Sequence, residues 1–211
     1  MMEDFLQALT EQLQAMSWLE AVAVGLAVAY LLLVIRQNIW CWACAFASTA
    51  IYVYLFHSVA LLMESALNVF YLLMAVYGWW QWRQGGAGHT SLPVTQWSWR
   101  VHIVAITGIV ALSFSSAVFL ERYFEPAYPL LDSLTTWSAV WATFLVTRKE
   151  LTNWWYWLAI DAVSIYLYLN RGLPLTALLF VFYLILIPIG YRSWRADYQH
   201  ADTRDGAPEY S

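Results

Sequence analysis

The segment Asn38-Ile-Trp-Cys-Trp42 returns 115 residues later as Asn153-Trp-Trp-Tyr-Trp157, and the residues that follow each copy match as well. Ile51-Tyr-Val-Tyr-Leu55 reappears as Ile165-Tyr-Leu-Tyr-Leu169. Phe70-Tyr71, Gly78 and Trp82 reappear 112 positions on as Phe182-Tyr183, Gly190 and Trp194. Upstream, Arg36 falls on Arg148 and Glu20 on Asp132. Such a chain folds as two copies of one unit. Its 211 residues are 62% hydrophobic and 11% charged, with a mean hydropathy of +0.55. No soluble domain of this size hides that much apolar surface. The solvent is lipid.

A spanning helix needs roughly 20 apolar residues, and seven segments qualify: 17–35, 38–57, 61–82, 101–120, 131–147, 151–170 and 173–192. Each copy takes three of them, over 17–82 and 131–194, and helix 101–120 has no counterpart. An odd helix count would invert the second copy if it followed directly. The intervening helix returns the chain to its starting side, so the copies run parallel. The expected fold is an all-α integral membrane protein with seven transmembrane helices in a 3+1+3 parallel repeat. Repeats of this kind are the usual build of secondary transporters, with the substrate site between the halves. Pro188, inside the last helix, removes a backbone hydrogen bond and favours a kink.

Residues 1–16 carry Phe5, Leu6, Leu9, Leu13 and Met16 at helical spacing among polar residues, which predicts an amphipathic interfacial helix. Residues 83–130 hold the loop and linker helix, and 195–211 read as a polar, disordered tail. Arg36, Arg83, Arg100, Arg148, Lys149, Arg192, Arg195 and Arg204 share one set of helix ends; Arg122 and Arg171 hold the other. Positive charge collects inside, so the C-terminal tail is expected in the cytoplasm and the N-terminus outside.

Asp161 lies mid-helix, ~15 Å in at 1.5 Å per residue. A mid-membrane acid costs about 2.5–3.5 kcal/mol, so it must face protein or a watery cavity and is a functional candidate by default. Its counterpart in the first copy is Phe46. Asn153, Trp154, Trp157, Ser164 and Tyr168 share its helix face. Glu64, Asn68, Tyr71 and Gly78 make a similar face on the third helix, and Asp132, Thr135, Thr136 and Thr143 one on the fifth. Trp42 stands in the first copy where Trp157 stands in the second. Acids beside aromatics suit a flat cationic ring, since a cation over an aromatic face gains about 0.5–2 kcal/mol. Tryptophans near helix ends are more often interfacial anchors, which is the reading for Trp79, Trp80, Trp82 and Trp194.

Cys41-Trp-Ala-Cys44 matches a C-x-x-C spacing, but with no further cysteine in the chain it reads as small packing residues. The four histidines are scattered, so no metal cluster is expected. No phosphate-binding G-x-x-x-x-G-K-[ST] loop occurs. No cofactor, metal, catalytic group or nucleic-acid partner is implied.

Leu67-Asn-Val-Phe-Tyr71 leading to Tyr77-Gly-Trp79 and Trp82, Asp132-Ser133, and Thr147-Arg-Lys149 leading to Asn153-Trp154 and Trp157 resemble the PnuC family of bacterial vitamin transporters. The resemblance runs from about residue 17 to 194. It implies the 3+1+3 plan shared with the SWEET sugar transporters. It also implies facilitated uptake of a vitamin precursor across the cytoplasmic membrane, most familiarly nicotinamide riboside, trapped inside by a kinase. Asn153, Trp154 and Trp157 carry over as the aromatic-amide part of the site, and Asn68 stands where some members have Gln. Relatives with this fold are thought to carry thiamine or riboflavin. Nicotinamide riboside ranks first and thiamine is the alternative, because both are cations and Glu64 adds a second acid. Proton coupling through Asp161 would need a second buried ionisable partner at that depth. The implied partners are the vitamin and the lipid bilayer, with a homo-oligomer left open. In the expected mechanism the ligand enters past Glu64 and Asp132, stacks on Trp154 or Trp157 with its charge toward Asp161, and the two bundles rock.

Overall fold

A computed structural model of the chain describes residues 2–58, 62–86, 92–124 and 128–205, without the side chains of residues 2–5, 56, 62–66, 124 and 201–205. Its helices among these residues are α1 (Met2–Ala15), α2 (Trp18–Ile35), α3 (Cys41–Ser58), α4 (Leu62–Gln84), α5 (Trp99–Phe124), α6 (Pro129–Thr147), α7 (Asn153–Asn170) and α8 (Pro174–Asp205). Every segment expected to span contains one helix, and α1 covers the amphipathic stretch. The only other regular feature described is a parallel bridge between Thr95 and Glu150.

Local chemistry sets the helix starts. The Ser17 hydroxyl accepts the Glu20 N–H at 3.2 Å and caps α2. Pro129 and Pro174 open α6 and α8, where a missing N–H costs nothing. Leu173, which precedes α8, has no side-chain acceptor. Gln12 of α1 supplies one: its Oε1 accepts the Leu175 N–H at 3.1 Å, and its Nε2 donates to the Gly172 carbonyl at 2.8 Å. Gly172 sits at φ +69°, the left-handed position a helix end favours.

Among the described residues, three helices are by length and composition long and apolar enough to cross a membrane: Trp18–Ile35, Trp99–Tyr123 and Pro174–His200. In α4, α6 and α7, amides, hydroxyls, acids and tyrosines interrupt the apolar sequence. The tail differs from expectation. Helix α8 continues through Asp205, because residues 195–205 contain no Gly or Pro, and Gly206 and Pro208 follow just beyond.

The chain forms two compact units. The first comprises Met16–Gln96, Leu145–Leu151 and Pro188–Ser211; the second comprises Met1–Ala15, Trp97–Phe144 and Thr152–Ile187. Within the first, α3 packs on both α2 and α4. The Ser48 hydroxyl donates to the Ala23 carbonyl at 2.8 Å. The Trp42 ring lies on Gly78 so closely that a Cβ there would sit 2.4 Å from it. Within the second, the Trp137 indole donates to the Ser116 hydroxyl at 3.0 Å, and His102 Nδ1 lies 3.2 Å from the Tyr156 hydroxyl. These contacts join the linker helix α5 to α6 and α7.

The repeat is written into the backbone of the first unit. After α2, Gln37 N–H donates to Val34 and Asn38 N–H to Leu33; after α6, Lys149 N–H donates to Val146 and Glu150 N–H to Leu145. Gln37 at φ 51° and Lys149 at φ 48° are the left-handed residues of these matched ends. The two then meet, with Lys149 Nζ donating to Gln37 Oε1 at 3.1 Å. Trp82 of the first copy donates its indole N–H to the Val146 carbonyl at 3.0 Å, and Trp194 of the second donates to Val34 at 2.9 Å. The two rings lie 6.0 Å apart. Each copy thus satisfies a helix-end carbonyl of the other. A bond of this kind is worth a net ~1 kcal/mol, and leaving its buried donor unmade costs about 1–3 kcal/mol. Trp82 and Trp194 are 3% and 0% exposed, so the expectation that they are interfacial anchors is corrected.

Lys149 is buried in the same cluster, its ammonium 4.6 Å from the centre of the Trp82 ring. Burial pushes its pKa down from 10.5 to about 8, against the pull of the Asp197 carboxylate. The unfolded chain therefore binds the extra proton between pH 8 and 10.5, and stability rises with pH across that window. Wild type should gain stability over this range relative to Lys149→Met in detergent-solubilised unfolding. A pH-independent difference would contradict the burial.

Candidate functional site

The start of α7 is pinned before any site residue appears. Thr95 accepts the Leu151 N–H at 2.8 Å and donates its own N–H to the Lys149 carbonyl at 3.0 Å. From there α7 presents two faces. Trp155, Ala159, Ala162, Tyr166 and Leu169 are exposed on one. Asn153, Trp154, Asp161 and Ser164 are buried, with exposures of 0%, 1%, 3% and 7%, and Trp157 and Tyr168 are half-buried beside them. The face expected from spacing is the face turned inward.

Asp161 has no hydrogen-bond or ion-pair partner among the described residues. A buried acid held this way is costly. The arrangement offers an organic cation a counter-charge, flanking indoles and an amide. At the far end of α7, Tyr168 lies 5.2 Å from the Phe180 ring, and Arg171 makes an ion pair with Asp132 of the first turn of α6. Asp132 is thus already matched by a cation, and Thr136, one turn on, is half-buried.

The remaining expected residues belong to the first unit. Asn68 and Tyr71 are half-buried on α4, and the Glu64 side chain lies outside the described residues. Trp42 is 2% exposed, wedged against Gly78 and edge-on to Trp82 at 5.4 Å. Phe46, the counterpart of Asp161, is exposed and lines an apolar cavity of about 320 Å³ with Trp42, Ala43, Ala75, Val76 and Trp79. The copies have diverged where the second carries its acid. Sequence reasoning missed Gln37, Lys149, Trp82, Trp194 and Gln12. For the first four a signal was available, since they fall on matched positions 112 apart.

Residues 17–196 match the family described as Nicotinamide mononucleotide transporter. Over 92% of its length the chain is 25% identical to the riboflavin/roseoflavin transporter RibM of Streptomyces davaonensis, covering 93% of that protein. It is 23% identical to the nicotinamide riboside transporter PnuC of Escherichia coli across 85% of each. The PnuC of Neisseria mucosa is 26% identical over 84% of this chain and 72% of its own. The crystal structure of the vitamin B3 transporter PnuC shares the fold, with a TM-score of 0.69 at 22% identity over 93% of this chain and 90% of that one. With the match spanning nearly all the helical residues, this chain belongs to the nicotinamide mononucleotide transporter family, the PnuC family.

Proposed function

We propose that this protein mediates facilitated uptake of a cationic aromatic vitamin precursor, nicotinamide riboside first, across the bacterial cytoplasmic membrane. A cytoplasmic kinase then traps the product. The observation that carries the reading is Asp161, buried without a described partner on the Asn153–Trp157–Tyr168 face of α7. A neutral ligand does not repay an acid buried there; a cation does. Asn153 binds hydroxyl or carboxamide groups, and Trp154 and Trp157 supply the aromatic faces. Asn68, Tyr71 and Glu64 on α4, Asp132 and Thr136 on α6, and Trp42 on α3 complete the set of proposed substrate residues.

The reading includes a 3+1+3 arrangement with parallel copies, the N-terminus outside and the C-terminus in the cytoplasm. Parallel copies are supported by the exchanged Trp82 and Trp194 bonds, since inverted copies would carry these matched ends to opposite membrane faces. Orientation is supported by the bias of Arg and Lys toward that end.

The likeness to RibM favours a second reading, riboflavin, which is neutral. Thermal unfolding of the purified protein with nicotinamide riboside, thiamine and riboflavin separates them. A ligand at 100 times its Kd stabilises by ~2.7 kcal/mol. Nicotinamide riboside is expected to stabilise most and riboflavin not at all. Stabilisation by thiamine alone would move the substrate to vitamin B1. Stabilisation by riboflavin alone would replace the cation reading, and stabilisation by none would defeat it.

A further inference from the structure

The compact units do not coincide with the repeats. Residues 145–151 and 188–194 belong to the second copy, yet they pack as part of the unit that contains the first copy. The reciprocal Trp82 and Trp194 bonds and the Lys149–Gln37 pair explain why. Arg148 adds a bond to the Tyr77 hydroxyl at 3.2 Å, Ser193 one to the Ile35 carbonyl at 3.0 Å, and Gln37 donates to Asp197. Bundles rocking as whole repeats would have to break all of these.

The unit boundaries mark cheaper places to bend. In α8 the boundary falls between Ile187 and Pro188. Proline lacks the N–H that would bond four residues back, so the helix ladder is already open there. In α6 it falls between Phe144 and Leu145, which leaves only the last turn, Leu145–Thr147, with the clasp.

Resting on the transporter reading, we propose that the Trp82–Trp194 clasp stays closed through the transport cycle as a pivot, and that access alternates by bending of α8 at Pro188 and of α6 near Leu145. Gln37, Lys149, Trp82 and Trp194 are then positioning residues: they touch no substrate and keep one end of the two copies in register.

The test joins the clasp covalently. In a Cys41→Ser, Cys44→Ser background, Gln37→Cys and Lys149→Cys are linked by a short rigid bis-maleimide, and nicotinamide riboside uptake into vesicles is measured before and after linking. Retention within about twofold is expected, since a pivot does not move in the rate-limiting step. A loss of about tenfold or more on linking makes the clasp a gate and overturns the proposal. A second measurement does not depend on the substrate. The indole N–H protons of Trp82 and Trp194, assigned through Trp82→Phe and Trp194→Phe, should exchange with water far more slowly than that of exposed Trp18. Exchange as fast as Trp18 would also sink the pivot. Slow exchange in a protein that moves none of the tested vitamins would leave the pivot standing and remove the substrate reading.

Discussion

Asp161→Asn should abolish measurable nicotinamide riboside binding while leaving the unfolding temperature unchanged or higher. The two halves of that result have separate causes. Truncating one partner of a buried charge pair costs about 2–5 kcal/mol, so affinity should fall by roughly 30-fold to several thousandfold. Among the described residues of the ligand-free protein there is no pair to break. Asp161 is 3% exposed with no described partner, so its carboxylate is a burden on the fold that the neutral amide relieves. Isothermal titration and thermal unfolding of the same preparation read both quantities. Wild-type affinity in the variant would remove Asp161 from the site. A fall of many degrees in unfolding temperature would make it a structural acid.

Gly78→Ala should be a strongly damaging single-methyl change in the first unit. The added Cβ would stand 2.4 Å from the Trp42 ring, and that ring is held on its other sides by Trp82 at 5.4 Å and Tyr30 at 6.0 Å between centroids. A rigid indole so held yields only by moving α3 from α4. Overpacking of this kind costs about 1–3 kcal/mol, or roughly 2–12 °C in unfolding temperature for a chain this long. Trp42→Phe in the Gly78→Ala background should recover part of the loss through its smaller ring. Equal unfolding temperatures for wild type and Gly78→Ala would mean the two helices do not meet as described.

Much of this was readable in the sequence because lipid leaves few options. Apolar runs of membrane length must be helical, and the buried side of α7 follows from the spacing of Asn153, Trp157, Asp161 and Tyr168 alone. The burial of Trp82 and Trp194 is not legible locally for a physical reason: near a helix end, an indole at the lipid–water boundary and one buried against another helix look the same in sequence. Only the pairing of two matched positions across the chain distinguishes them. Arg171 posed the same problem, since a charge expected to mark a membrane face is spent on Asp132. The segment 195–205 is helical despite its polar composition because no helix breaker occurs in it.

The amide of Gln12 has a consequence for how the protein is made. It caps α8 at Leu175, 163 residues downstream. At roughly 5–20 residues per second of synthesis, α1 therefore waits about ten to thirty seconds for the partner it holds. Helix α8 is thus fastened at its start by α1, and this part of the second unit is complete only once both helices have been made.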